Sequence, residues 1–168
     1  MTSPLSPLYR ICGGLAAFFL VMIAVLTGLS IVSRLMGFTV LGLTAYAGYC
    51  MAASSFLALA YTFGHGGHIR VSLLLTRLKG RARYWAELWC LAAATFFAGY
   101  LAWYSIRMVQ VSLKINDISQ GTDATPLWIP QIGMAAGSTV LAIAILDRLI
   151  QVARGAPIVD DDPELQSE

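Results

Sequence analysis

Charge is scarce in this sequence. Charged residues make up 12% of its 168 positions, about half the roughly 25% usual in soluble chains. Hydrophobic residues make up 58% and the mean hydropathy is +0.71. The apolar residues fall in blocks and not at amphipathic spacing, which excludes an ordinary water-soluble domain and makes lipid their natural solvent. Cysteine is scarce too. Cys12, Cys50 and Cys90 are odd in number, far apart and each set in an apolar block, so they show no disulfide or metal spacing and read as small packing residues. Of the two histidines, His65 and His68, neither has a Cys, Asp or Glu near enough in sequence to complete a four-ligand zinc set. They lie in a glycine-rich turn, not inside an apolar block where a membrane haem would be held. No cofactor and no nucleic-acid partner is expected.

Acid is absent altogether from residues 64–83, the only long stretch between the two apolar halves of the chain. That stretch holds five of the eleven Lys and Arg residues: Arg70, Arg77, Lys79, Arg81 and Arg83. A basic segment between long apolar runs marks the cytoplasmic side of a multi-pass membrane protein. Around it the sequence predicts an all-α integral membrane fold. Its four transmembrane helices cover 11–33, 40–63, 84–106 and 127–146, each run long enough to cross a bilayer, where about 20 residues suffice. Residues 1–10 form a short lead-in, 11–150 the membrane domain, and 151–168 an acidic tail. A cleavable signal peptide would have an apolar core of about 7–15 residues; the first run is longer, ends in Ser33-Arg34-Leu35, and reads as a retained span.

Counting by side orients the spans. With the N-terminus inside, the cytoplasmic face carries Arg10, the five of the central segment, Arg148 and Arg154, whereas the outer face carries only Arg34, Arg107 and Lys114. This asymmetry predicts both termini inside. The tryptophans agree, with Trp85 at the inner end of span three and Trp103 and Trp128 at outer ends, as an interfacial aromatic belt requires. Pro130 suits the entry to span four, because the first turn of a helix tolerates proline.

The central segment itself predicts a sharp turn at 64–67, where glycines including Gly67 reach backbone angles closed to other residues. A basic interfacial helix then runs near the membrane plane. Val71, Leu74, Leu75 and Leu78 share one face of it, with Arg70 and Arg77 toward anionic head groups. Ile69 and Leu73 fall on the other side and are available to a partner. His68 and Arg70 are placed to bond carbonyls left free at the end of span two.

Lipid gives helices little hydrophobic reason to associate, so small residues carry close packing. Span four offers Gly133 and Gly137, span three Ala94, Ala98 and Ala102, and span two Gly48 with Ala52. Such patterns serve either packing inside one bundle, the commoner use, or contact with another subunit. Ionisable residues inside a membrane usually mark ion or solute paths. Spans one, two and four have none, and span three has only Glu87, four residues after Arg83 and expected to pair with it. Ser54, Ser55 and Thr95 remain as possible oxygen ligands for sodium. The chain reads as a support, neither a self-sufficient small transporter nor, without histidines in its spans, the haem-binding membrane anchor of a redox enzyme.

These features together resemble a known family. Four spans, the run Gly66-Gly67-His68-Ile69-Arg70-Val71 closing span two, then Leu73-Leu74-Leu75 and a basic stretch, are similar to the small membrane subunit of tripartite ATP-independent periplasmic (TRAP) transporters. The outer loop, Gln120-Gly121-Thr122 and Thr125-Pro126-Leu127-Trp128-Ile129-Pro130 with Gly137 following, is also similar. The resemblance covers about 40–149. It implies an inner-membrane protein, without enzymatic activity, docked on a large membrane subunit that binds sodium and solute and moves. It further implies a soluble periplasmic solute-binding protein that delivers the solute, usually a carboxylate or sulfonate. Members commonly carry a Trp and a Glu near the start of span two; this chain reads Val40-Leu41-Gly42-Leu43-Thr44-Ala45-Tyr46, and no role is carried onto those positions.

The charge map makes a direct prediction. A reporter active only outside the cytoplasm should be active when fused after Ile118 and inactive when fused after Glu168. A periplasmic Arg81 would reverse the map.

Overall fold

A computed structural model of the chain describes residues 6–38, 40–64, 81–121 and 124–154. The described residues form four helices: α1 (Ser6–Leu35), α2 (Leu43–Gly64), α3 (Arg81–Ile115) and α4 (Trp128–Ala153). All four are long and apolar enough to cross a membrane. At 1.5 Å per residue they measure about 45, 33, 52 and 39 Å, against a hydrocarbon core of about 30 Å.

Three helices run past the limits that charge suggests. α3 continues nine residues beyond the expected end at 106, to Ile115, and α4 passes Asp147-Arg148 to reach Ala153. The reason is local. Residues 107–115, Arg-Met-Val-Gln-Val-Ser-Leu-Lys-Ile, contain neither glycine nor proline, so nothing breaks the backbone where the lipid stops. α1 likewise begins at Ser6, ahead of the first apolar run, with Pro7 in its first turn, where no N–H is needed.

What does end α1 and α3 is a residue in the left-handed region. Gly37 (φ 77°) follows α1. Its N–H donates to the Arg34 carbonyl at 3.2 Å, and the Phe38 N–H donates to the Ser33 carbonyl at 3.1 Å, the paired bonds of a Schellman motif. Asn116 (φ 49°) does the same for α3, with the Asp117 N–H donating to the Ser112 carbonyl at 3.0 Å. Helix α4 starts without a side-chain cap. Pro130 has no N–H to give the Pro126 carbonyl, which instead accepts from Ile129 at 3.2 Å.

The substantial packings are α1 on α2, α2 on α4 and α4 on α3, so the neighbour order is α1, α2, α4, α3. α1 meets α2 head to tail. A Cβ on Gly13 would strike the Tyr61 ring at 2.5 Å and one on Gly64 the Tyr9 ring at 2.5 Å, so the two glycines are seats for the two rings. Deeper in this contact the buried Ser54 hydroxyl donates to the Ala16 carbonyl across the helices, at 3.0 Å. α2 and α4 run parallel, in register from Ala53 against Gly133 to Phe56 and Leu57 against Gly137. Ala60, Ala98, Leu141 and Ile145 make the core where α2, α3 and α4 meet, and Cys12, Ala16 and Leu57 a second one with Val140 packed on it.

We call the end carrying the α1–α2 turn and the α3–α4 loop the loop end, and the opposite one, with Gly64 and the start of α1, the tail end.

The α2–α4 contact has the least room. A Cβ on Gly137 would lie 2.7 Å from the Phe56 carbonyl carbon and 2.9 Å from the Leu57 nitrogen, both backbone atoms that no rotamer change can move. Gly137→Ala should therefore cost about 1–3 kcal/mol, read as a lower unfolding midpoint of the chain in detergent. Gly48, with nothing within 4 Å of its Cβ position, is the control. Gly48→Ala should be neutral or mildly stabilising, since alanine favours a helix by about 1 kcal/mol.

Candidate functional site

The residues after Asn116 turn back on themselves before α4 begins. Ile118 and Pro126 form an antiparallel β-bridge. The Ser119 N–H donates to the Thr125 carbonyl at 2.8 Å and the Leu127 N–H to the Asp117 carbonyl at 3.0 Å. Near the tip, the Gly121 N–H donates to the Ser119 hydroxyl oxygen at 3.2 Å. Ala124 (φ 44°) sits in the left-handed region to allow the return.

This loop is held by a helix that does not flank it. Tyr46 and Tyr49 stand one turn apart near the head of α2, their rings edge to face at 6.0 Å and 85°. The Tyr49 hydroxyl donates to the Ser119 hydroxyl at 3.0 Å, and the Thr125 hydroxyl donates to the Tyr46 hydroxyl at 3.0 Å. Ser119 lies on the outgoing arm of the loop and Thr125 on the returning arm, so each arm has its own tie. A cleft of about 320 Å³ opens alongside, lined by Ser30, Ser33 and Arg34 of α1, residues 40–45 at the head of α2, and Gly121 of the loop. Around it Leu35, Met36, Phe38 and Leu41 are exposed.

The residues singled out by sequence divide into three groups. Gly67, His68, Arg70 and Arg77 fall outside the described residues, as does the interfacial segment they belong to. The small residues lie inside the bundle: Ala98 and Ala102 are buried, Ala94 packs on the core with them, and Gly133 and Gly137 face α2. Gly48, by contrast, faces open space. The aromatic positions lie outside the buried core. Trp85 and Trp103 are 66% and 69% exposed on α3, about 27 Å apart along the axis, which matches the hydrocarbon thickness. Trp128 and Pro130, in the first turn of α4, are half-buried.

One expectation needs correction. The candidate oxygen ligands do not converge. Ser54 gives its proton to Ala16, Ser55 to the Met51 carbonyl at 2.8 Å and Thr95 to the Leu91 carbonyl at 2.7 Å. Each hydroxyl is directed to a separate carbonyl, and Ser55 lies on an exposed face. Ser105 and Thr139 also return their protons to the preceding turn of their own helices.

Sequence reasoning missed the ties of Tyr46 and Tyr49 to Thr125 and Ser119. Nothing in a linear chain pairs these tyrosines with hydroxyls 79 and 70 positions away.

No curated protein matches the chain. A family model does, that of the DctQ component of tripartite ATP-independent periplasmic transporters, over residues 10–155. Four membrane-spanning helices and a match over most of its length place this chain in the DctQ family, the small permease component of TRAP transporters.

Proposed function

We propose that the chain is the scaffold subunit of a sodium-coupled importer of organic anions, carboxylates or sulfonates, in the bacterial or archaeal inner membrane. Its partners are a large membrane subunit, which binds ion and solute and moves, and a periplasmic solute-binding protein. The observation that carries this reading is the use of the interior hydroxyls. Ser54, Ser105, Ser138 and Thr139 all donate to backbone carbonyls, which leaves the contacts between the described helices sealed largely by alanine and glycine. A bundle so arranged is suited to holding a shape. Transport chemistry belongs on the partner.

In this reading the charge asymmetry puts both termini in the cytoplasm and the loop end in the periplasm. The loop, with Trp128 and Pro130 at its exit, then forms part of the face that meets the binding protein. Trp85 anchors the opposite rim. Gly67, His68, Arg70 and Arg77 brace the large subunit and the cytoplasmic leaflet.

Reconstitution tests the main claim. Liposomes holding this chain alone should take up no solute. Liposomes holding both membrane subunits, with binding protein outside and an inward sodium gradient, should take it up. Uptake by this chain alone would overturn the scaffold role. For the basic segment, Gly67→Val or the His68→Ala/Arg70→Ala pair should reduce the large subunit that co-purifies while leaving solute binding to the periplasmic protein unchanged. Full co-purification would reduce the segment to a topology signal.

A further inference from the structure

Among the described residues of the loop between α3 and α4, the two arms share a β-bridge and backbone hydrogen bonds of 2.8 and 3.0 Å, and a short hairpin is marginal on its own. Further ties to these arms come from α2. From the residues upward, the arrangement is a relay of hydroxyls. The Tyr49 phenol donates to Ser119 Oγ, and the same Oγ accepts the Gly121 N–H. The Thr125 hydroxyl donates to the Tyr46 phenol oxygen. A phenol can donate and accept, so one residue type serves as donor on one arm and acceptor on the other. The two rings brace one another edge to face, an arrangement that adds stability beyond buried area.

The choice of helix matters. The flanking helices α3 and α4 already hold the ends of the loop through the chain itself. α2 lies at the centre of the neighbour order, packed on α1 and on α4, and its Ala53–Leu57 stretch touches the α4 backbone. A loop tied to α2 keeps its position relative to the core and not merely to its own ends. Asn116, Ile118, Gln120 and Gly121 of the loop are all exposed.

We infer that Tyr46 and Tyr49 are positioning residues, which hold the α3–α4 loop in the shape in which it meets the periplasmic solute-binding protein. This rests on the reading above that the loop end faces that protein. The tyrosines touch neither solute nor binding protein. They act through Ser119 and Thr125.

The test uses the whole transporter, both membrane subunits with the binding protein added. Tyr46→Phe/Tyr49→Phe removes only the two hydroxyls. Ser119→Ala/Thr125→Val removes their partners from the loop side and leaves α2 unaltered, so the inference does not depend on one variant folding. Three quantities are read: large subunit co-purified, hydrogen exchange at the Ser119 and Leu127 amides, and initial uptake rate against binding-protein concentration. Both variants should retain assembly and exchange those amides on the order of tenfold faster, as loss of two modest hydrogen bonds implies. The binding-protein concentration for half-maximal uptake should rise roughly threefold to tenfold, with the maximal rate unchanged. Unaltered exchange in both variants would overturn the inference and leave the tyrosines as rim aromatics. Faster exchange with an unaltered half-maximal concentration would keep the tether but overturn the assignment of this face to the binding protein. The two failures are therefore separable.

Discussion

Everything in this bundle depends on how closely the α2 and α4 backbones approach at Gly133 and Gly137. In water, two apolar helices are driven together by burying surface. In lipid that drive is nearly absent, and what remains is dispersion between atoms in contact. Two glycines let the α4 backbone come against Ala53, Phe56 and Leu57 without intervening side chains. That contact sets the position of α2. α1 then packs on α2, α3 packs on α4, and the loop is tied to the head of α2. The edge helices make less of the bundle. Much of α1 and α3 is left exposed by the other described residues, including Leu20, Val21, Trp89 and Phe97, as suits helices that face lipid.

The sequence made the four membrane-spanning helices and their approximate places legible because bilayer thickness imposes a length on every charge-free run. It was less informative about where the helices end. Arg107 and Asp147 mark a border between solvents, and a helix has no reason to stop at such a border unless a residue breaks it. The ends were set instead by Gly37 and Asn116, whose left-handed angles close the last turns of α1 and α3. Small residues were legible as packing residues but not in their use. Gly137 and Gly48 look alike in sequence, yet one meets backbone at 2.7 Å and the other meets nothing. Polar pairing was the least legible of all. The ties at the loop end join hydroxyls 70 and 79 positions apart in the chain.

The family assignment and the physical reading meet on one point. The chain belongs to the small permease component family of a three-part transporter, and its interior is packed with alanine, glycine and internally bonded hydroxyls. Ser54, Ser105, Ser138 and Thr139 direct their protons to carbonyls of the bundle itself.

The parallel course of α2 and α4 has an electrostatic consequence. Each helix carries a macrodipole worth about half a positive charge at its N-terminus. Both of these termini emerge at the loop end, side by side in the middle of the neighbour order. Neither helix has an acidic residue in its first turn to offset that charge. The negative ends of α1 and α3 reach the same surface only at its edges, where the bonds at Gly37 and Asn116 engage carbonyls of their last turns. The potential there is therefore patterned by peptide groups, positive at the centre and negative at the flanks, and it would persist if every arginine and lysine on that surface were neutralised.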